Sequence, residues 1–326
     1  MVVRVGILGA SQIAPVAIIA PAVNHTDVSI VAVAARDVER GKEFAEQHGI
    51  ARAYSSYSEL ISDPEIDLIY NGLPPSSHAE LCTEALAAGR HVLCEKPFAL
   101  NAQEARAMAA AADRAKRLCI EGFHYFYHPL FARVQDIVCS GILGPLTSLW
   151  GVFDIAVPDA PGNIRHDLSL GGGALMDLGC YPLHMLRQIA GCEPEVIEAK
   201  AKEGRVGIDL SMEATLSFDG LPGTISCDMS EGVDVRAAIE VVGEKGRLHV
   251  NNPLHPYLGH KLTLDVDGVK TEETIDGKTT FEHQLDVVVA AIAGEGAAHT
   301  GGTDAIGNMV AIDAIYRASG LARPGL

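Results

Sequence analysis

Three side chains in this 326-residue sequence carry the makings of proton-transfer chemistry. Lys96 lies in Glu95-Lys96-Pro97, directly after Arg90-His91-Val92-Leu93-Cys94, which reads as a strand. A lysine at the carboxyl end of a strand in a doubly wound sheet stands in the ligand crevice, where an ammonium stabilises charge developing on an oxygen. Asp177 and Tyr181 are four residues apart, the spacing that puts two side chains on one helix face. They follow Gly171-Gly172-Gly173, a run that permits close approach to another surface. A phenol with an ordinary pKa near ~10 is a poor base at neutral pH, and an adjacent ammonium favours its ionised form. Tyr181 is therefore the candidate general acid/base, with Lys96 assisting and Asp177 orienting substrate or Lys96. His184, three residues past Tyr181, is either an alternative proton relay and substrate contact or a packed core histidine. Arg165, in the loop 162–167, either reaches a substrate hydroxyl or is a solvated loop residue.

The elements that must position these groups fall into two patterns. Over the first 120 residues, apolar strands (2–8, 28–35, 66–72, 90–94, 118–122) alternate with helical stretches (12–23, 37–48, 76–88, 101–116). That alternation predicts right-handed βαβ units and a parallel sheet covered on both faces. Asp37, Ser76-Ser77 and Asn101 stand where helix caps are expected. The first strand runs into Gly9-x-Ser11-x-x-Ala14, a tight turn that aims backbone N–H groups and a helix dipole at a dinucleotide pyrophosphate. Ser11 replaces the usual second glycine and offers its hydroxyl to phosphate; Gln12 and Ile13 open the following helix. NAD binders place a carboxylate at the end of the second strand. Here Ala35 takes that place, Arg36 follows, and Arg40 lies one turn on. Two guanidinium groups suit a 2′-phosphate, which favours NADP(H) over NAD(H) unless Asp37 turns inward. Glu95 is expected on the cofactor side of Lys96.

After residue 122 the pattern changes to a helix at 128–140, then strand-like runs at 146–156, 195–202, 212–218, 223–229, 236–242 and 246–250. A helix over 174–190 interrupts this series, and helices at 279–294 and 304–319 close it. The predicted fold is an N-terminal Rossmann doubly wound parallel sheet (1–122) followed by a C-terminal α+β domain (123–326) on an open, mostly antiparallel sheet. Whether the final helices pack back on the first domain is left open. Hydrophobic residues make up 48% of the chain, which indicates a folded protein. Residues 1–120 carry 11 Lys/Arg against 14 Asp/Glu, and residues 121–326 carry 14 against 28. So acidic a second half disfavours nucleic acid, anionic membranes and highly anionic substrates. No apolar run has the length of a membrane span. The opening MVVRVGILGA has no charged leader before an apolar stretch, so no signal peptide and a cytoplasmic location are expected. Seven cysteines without CxxC or Cys/His ligand spacing suggest reduced thiols and no metal site.

Taken in order, the glycine turn at 9–14, Leu93-Cys94-Glu95-Lys96-Pro97 and the stretch from Gly171 to Tyr181 resemble the glucose–fructose oxidoreductase/inositol dehydrogenase (Gfo/Idh/MocA) family over most of the chain. The resemblance implies a pyridine-nucleotide oxidoreductase with a cis peptide at Pro97. It implies cofactor contacts from Leu73, Pro74 and His78 in the turn after the strand 66–72, the alternative for His78 being that it packs in the first helical turn. It places Tyr181 at a position that is commonly His, and Tyr in a subgroup similar to dihydrodiol dehydrogenase and sugar oxidoreductases. Phe126 stands where the family often carries Arg, which implies a less polar pocket. Tyr125, with His124 and His128, either lines that pocket as a substrate contact or packs a domain seam. The implied substrate is a neutral sugar, cyclic polyol or dihydrodiol, and the implied assembly a homodimer or homotetramer formed through the open sheet. The alternative is a non-catalytic NAD(P)-sensing protein on the same scaffold, which has no need of Lys96, Asp177 and Tyr181 together.

Overall fold

The computed structural model describes residues 2–323, and the chain divides into two compact units: Met1–His124 with Phe281–Ile306, and Tyr125–Thr280 with Gly307–Leu326. The first unit holds β1 (Val3–Leu8), a wide π-type turn (Pro15–Ile19) running into α1 (Ala20–Val23), β2 (Val28–Ala34), α2 (Val38–His48), β3 (Arg52–Tyr54), α3 (Tyr57–Ser62), β4 (Leu68–Asn71), α4 (His78–Ala87), β5 (His91–Cys94), α5 (Ala102–Ala115) and β6 (Cys119–Glu121). The strands lie in the order β3-β2-β1-β4-β5-β6, all parallel. The order reverses between β1 and β4, which opens a crevice at their carboxyl ends. β4 is buried at all four positions, as a strand covered on both faces must be. Val5, Ile7, Tyr70 and Leu93 form the core with Ile18 on one side and with Phe281, Leu285 and Val288 of a later helix.

Local signals account for several helix starts. Asp37 accepts the N–H groups of Glu39 and Arg40, each at 3.1 Å, and Asn101 accepts that of Glu104 at 3.0 Å. Ser77 precedes α4 but its hydroxyl caps nothing, because Pro75–Ser77 already form a 3-10 turn that enters the helix in helical geometry. The sequence pattern does not anticipate β3 and α3; three strand residues are too few to show an alternation.

The second unit contains α6 (Pro129–Cys139), β7 (Leu146–Asp154), a second π-type turn (Leu175–Gly179) continuing into α7 (Cys180–Ala190), and β8 (Glu195–Glu203), β9 (Asp209–Phe218), β10 (Leu221–Asp228), β11 (Arg236–Gly243), β12 (Gly246–Asn251), β13 (Lys261–Val266) and β14 (Val269–Glu273). Of the two closing helices, α8 (Thr280–Ala293) falls almost wholly in the first unit, and most of α9 (Thr303–Ser319) in the second. The sheet order is β14-β13-β12-β11-β7-β10-β9-β8, with β7 and β10 parallel and the remaining pairs antiparallel. Asp219-Gly220 and Asp267-Gly268 make two-residue hairpins with both residues at positive φ, as the right-handed twist requires. The last hairpin strand, β14, is polar and largely exposed, so the sequence carries no periodic sign of it.

Helix α7 lies on one face of this sheet. A Cβ on Gly151 would meet Pro182 and Leu186 at 2.9 Å, so glycine there lets helix and strand close up. On the opposite face Ser148, Trp150, Thr224 and Ser226 are half-buried, with the Arg236 guanidinium 5.7 Å from the Trp150 ring centre. Among the described residues no helix is long and apolar enough to cross a membrane.

Candidate functional site

In the first unit the turns after β1 and β4 press together. Gly9 sits at φ +93°, and a Cβ there would meet Leu73 Cδ2 at 2.7 Å. A Cβ on Gly72 would meet Ser11 Oγ at 2.8 Å. Ser11 Oγ is buried and makes no hydrogen bond, a state that costs about 1–3 kcal/mol and that a phosphate oxygen would relieve. No side chain caps the helical segment that begins after Ala14, and Gln12 and Ile13 are exposed beside it. These residues fit a dinucleotide pyrophosphate. Asp37 keeps its carboxylate on the α2 amides and does not turn inward. Arg40 Nη2 donates to the Ala10 carbonyl at 2.8 Å, which brings its guanidinium back to the glycine turn, while Arg36 is exposed at the end of β2.

Around Lys96 the backbone is fixed from several sides. The Lys96–Pro97 peptide is cis, and Lys96 itself is half-buried. Glu95 accepts the Tyr70 hydroxyl at 2.8 Å, and burial pushes its carboxyl above the usual range. Phe98 N–H donates to the Glu121 carboxylate at 2.9 Å. His78 is fully buried, with Nε2 2.8 Å from the Leu73 carbonyl and Nδ1 3.0 Å from that of Pro97. Its ring is thus spent joining the turn after β4 to the turn after β5. Leu73 touches the glycine turn, and Pro74 leads into the 3-10 turn at half-buried depth.

In the second unit Asp177 lies in the wide turn ahead of α7 and Tyr181 in the first turn of α7. Pro182 has no N–H for the carbonyls behind it, and the widened turn is where a helix accommodates such a residue. The α-helical spacing assumed for Asp177 and Tyr181 is therefore stretched at this point. Tyr181 is 6% exposed, with ring centres of Phe153 at 5.8 Å and Tyr125 at 6.2 Å, both edge-on. The Tyr125 hydroxyl and His184 Nδ1 are 2.5 Å apart, and both residues are fully buried. Phe126 lies against His184 and Phe131, so the site is walled by aromatic rings. Arg165 Nε donates to Asp177 Oδ2 at 2.6 Å, an ion pair that the sequence did not reveal. The glycine run supplies its geometry. Gly172 and Gly173 donate N–H to the Asp167 and Arg165 carbonyls at 2.9 Å, and a Cβ on Gly172 would sit 2.5 Å from Arg165 O.

One residue absent from any sequence motif completes this half. Asp209, at the start of β9, accepts the Leu175 N–H at 2.7 Å and so caps the segment that carries Asp177 and Tyr181. Its partner is 34 positions away, beyond the reach of local cap patterns.

The comparisons agree with this architecture. Residues 3–123 match the family model described as an oxidoreductase family with an NAD-binding Rossmann fold, and residues 131–249 match the GFO/IDH/MocA C-terminal domain. The protein is accordingly an NAD(P)-binding oxidoreductase of two-domain type. The chain belongs to the Gfo/Idh/MocA family. It is 31% identical to D-xylose 1-dehydrogenase (NADP(+)) 2 of Haloferax volcanii over 316 residues, 96% of each chain. It is 33% identical over 225 residues to trans-1,2-dihydrobenzene-1,2-diol dehydrogenase of Xenopus tropicalis, covering 68% of this chain and 67% of that one. Among solved structures, a 3-ketoreductase from Actinomadura kijaniata in complex with NADP and TDP-benzene superposes with a TM-score of 0.90 over 98% of both chains at 25% identity.

Replacing His78 by Leu removes the ring that joins the Leu73 and Pro97 carbonyls. The expected result is a loss of about 1–3 kcal/mol in urea unfolding, together with NAD(P)H affinity weakened at least about fivefold in a fluorescence titration. Unchanged affinity would mean that the two turns keep their places without the ring.

Proposed function

We propose that the chain is an NADP-dependent oxidoreductase acting on a CH–OH or ketone carbon of a neutral sugar, cyclic polyol or dihydrodiol. The observation that carries this is the Arg165–Asp177 ion pair at 2.6 Å, in the wide turn that leads into the helix of Tyr181. It offsets both charges beside Tyr181, whose ring is walled by those of Phe153 and Tyr125, a lining suited to an uncharged hydroxylated ring. Bound NADP supplies the hydride acceptor or donor. Tyr181 gives or takes the hydroxyl proton, Lys96 stabilises charge on the substrate oxygen, and Asp177 orients a neighbouring hydroxyl. Tyr125, which backs the Tyr181 ring, and His184, joined to it, contact substrate. The Gly9–Ile13 turn holds the pyrophosphate, and Glu95 with Pro97 borders the nicotinamide. The names of the relatives support the substrate class: one is a xylose dehydrogenase, another a dihydrodiol dehydrogenase. Absorbance change of NADPH across a panel of sugars, diols and ketones tests it; no turnover with any neutral polyol or its ketone would overturn the reading.

Arg36 and Arg40 with no carboxylate at Ala35 favour the 2′-phosphate. NADP(H) is expected to bind at least about tenfold more tightly than NAD(H), or about 1.4 kcal/mol. Fluorescence titration of both cofactors checks this, and an Arg36→Ala variant with undiminished NADP affinity would refute the assignment.

Lys96→Met and Tyr181→Phe are each expected to lower kcat by roughly 10²–10⁴. Cofactor affinity should move far less in Tyr181→Phe. Near-normal turnover in that variant, with activity lost in His184→Asn, would transfer the proton relay to His184.

The half-buried face of the eight-stranded sheet around Trp150 is assigned to self-association as a homodimer or homotetramer. Sedimentation equilibrium at micromolar concentration should show a species of at least two chains; a monomer alone contradicts it.

A further inference from the structure

Beneath the glycine run of the second unit lies a cluster of buried polar groups that the reaction itself does not use. Asp209 is fully buried. Its Oδ2 accepts the Leu175 N–H at 2.7 Å and its Oδ1 the Tyr316 hydroxyl at 2.9 Å. The Arg323 guanidinium stacks 4.5 Å from the Tyr316 ring centre and donates to the Gly172 carbonyl at 2.6 Å and the Gly207 carbonyl at 3.2 Å. Gly173, at φ +119°, leaves no room for a side chain: a Cβ there would collide with Asp209 Oδ1 and crowd Tyr316 and Arg323. The chain from Gly172 to Leu175 is thus gripped at its carbonyl by Arg323 and at its amide by Asp209, immediately before Asp177 and Tyr181.

We propose that Asp209, Tyr316 and Arg323 are positioning residues that set the entry angle of the helix bearing Asp177 and Tyr181. The proposal rests on the catalytic reading of that helix. A carboxylate at a helix start both accepts an orphan N–H and meets the positive end of the dipole, and the neutral form does each less well. The titratable groups facing Asp209 are Tyr316 from α9, Arg323 from the segment after it, and Cys227 from β10, which has Cys180 of α7 as its own neighbour. Burial pushes the Tyr316 hydroxyl and the Cys227 thiol up, so both stay neutral and Tyr316 remains a donor. Burial also raises the Asp209 carboxyl to about 6, against the lowering influence of the Leu175 N–H, Arg323 and Tyr316. The grip therefore weakens as pH falls through about 6. The stability contributed by this group runs the other way: its folded-state pKa lies above 3.8, so that contribution is full at low pH and is lost as pH rises through about 6.

The test compares wild type with Asp209→Asn and Tyr316→Phe, the second removing one hydroxyl should the first fail to fold. Expected are a kcat lowered about 5- to 20-fold at pH 8, the range that loss of a helix cap implies, and loss of the acid limb near pH 6 in Asp209→Asn. Faster amide hydrogen exchange confined to residues 174–181 should accompany both, with KM for cofactor unchanged. Exchange at 174–181 that matches wild type overturns the anchoring. Faster exchange with unchanged kcat overturns the link to catalysis if Tyr181→Phe is inactive, and the catalytic reading of the helix if Tyr181→Phe is active. An acid limb that persists in Asp209→Asn overturns the role of the carboxylate charge.

Discussion

The close approach of two backbone turns at the carboxyl end of the parallel sheet is the constraint on which the nucleotide half depends. Gly9 and Gly72 stand where a side chain would strike Leu73 or Ser11, so the turns after β1 and β4 meet backbone to side chain with nothing between. Topology makes this possible: β1 and β4 are neighbours, and their connections leave in opposite directions. What remains is a small cradle with a helix start and one unsatisfied serine hydroxyl. His78 then transmits the position of this cradle to the turn that carries Lys96, by bridging the Leu73 and Pro97 carbonyls.

The second unit solves a related problem by a different route. Its helix must start at a defined place although it begins with a wide turn and has Pro182 three residues past that turn. Neighbours supply what the local sequence lacks. The Arg165 loop receives the glycine amides, and Asp209 receives the Leu175 amide from the edge of β9. Both halves use glycine for contact rather than for flexibility, and in both a buried polar side chain fixes what the glycine admits.

Electrostatics differ between the halves. The nucleotide half keeps Arg36 at the surface and has Asp37 occupied as a cap, so positive charge is available near the end of β2. The second unit, though acidic overall, neutralises its one acidic group in the turn before α7 by pairing it with Arg165 and surrounds Tyr181 with rings.

The sequence by itself determined the alternating βαβ pattern, the glycine turn, the Asp37 and Asn101 caps and the two-residue hairpins, because each depends on residues within a few positions of one another. The family membership was legible for the same reason, its motifs being short and in a defined order. Only the tertiary structure decided that Arg165 pairs with Asp177, that Tyr125 meets His184, that His78 bridges two turns, and that Asp209 caps a helix 34 residues upstream. It also decided that Asp177 lies in a wide turn ahead of the helix that carries Tyr181, and that short or polar strands such as β3 and β14 join the sheets. These are pairings across long chain separations or conformations imposed by packing, and a periodicity of two or 3.6 residues carries no record of either.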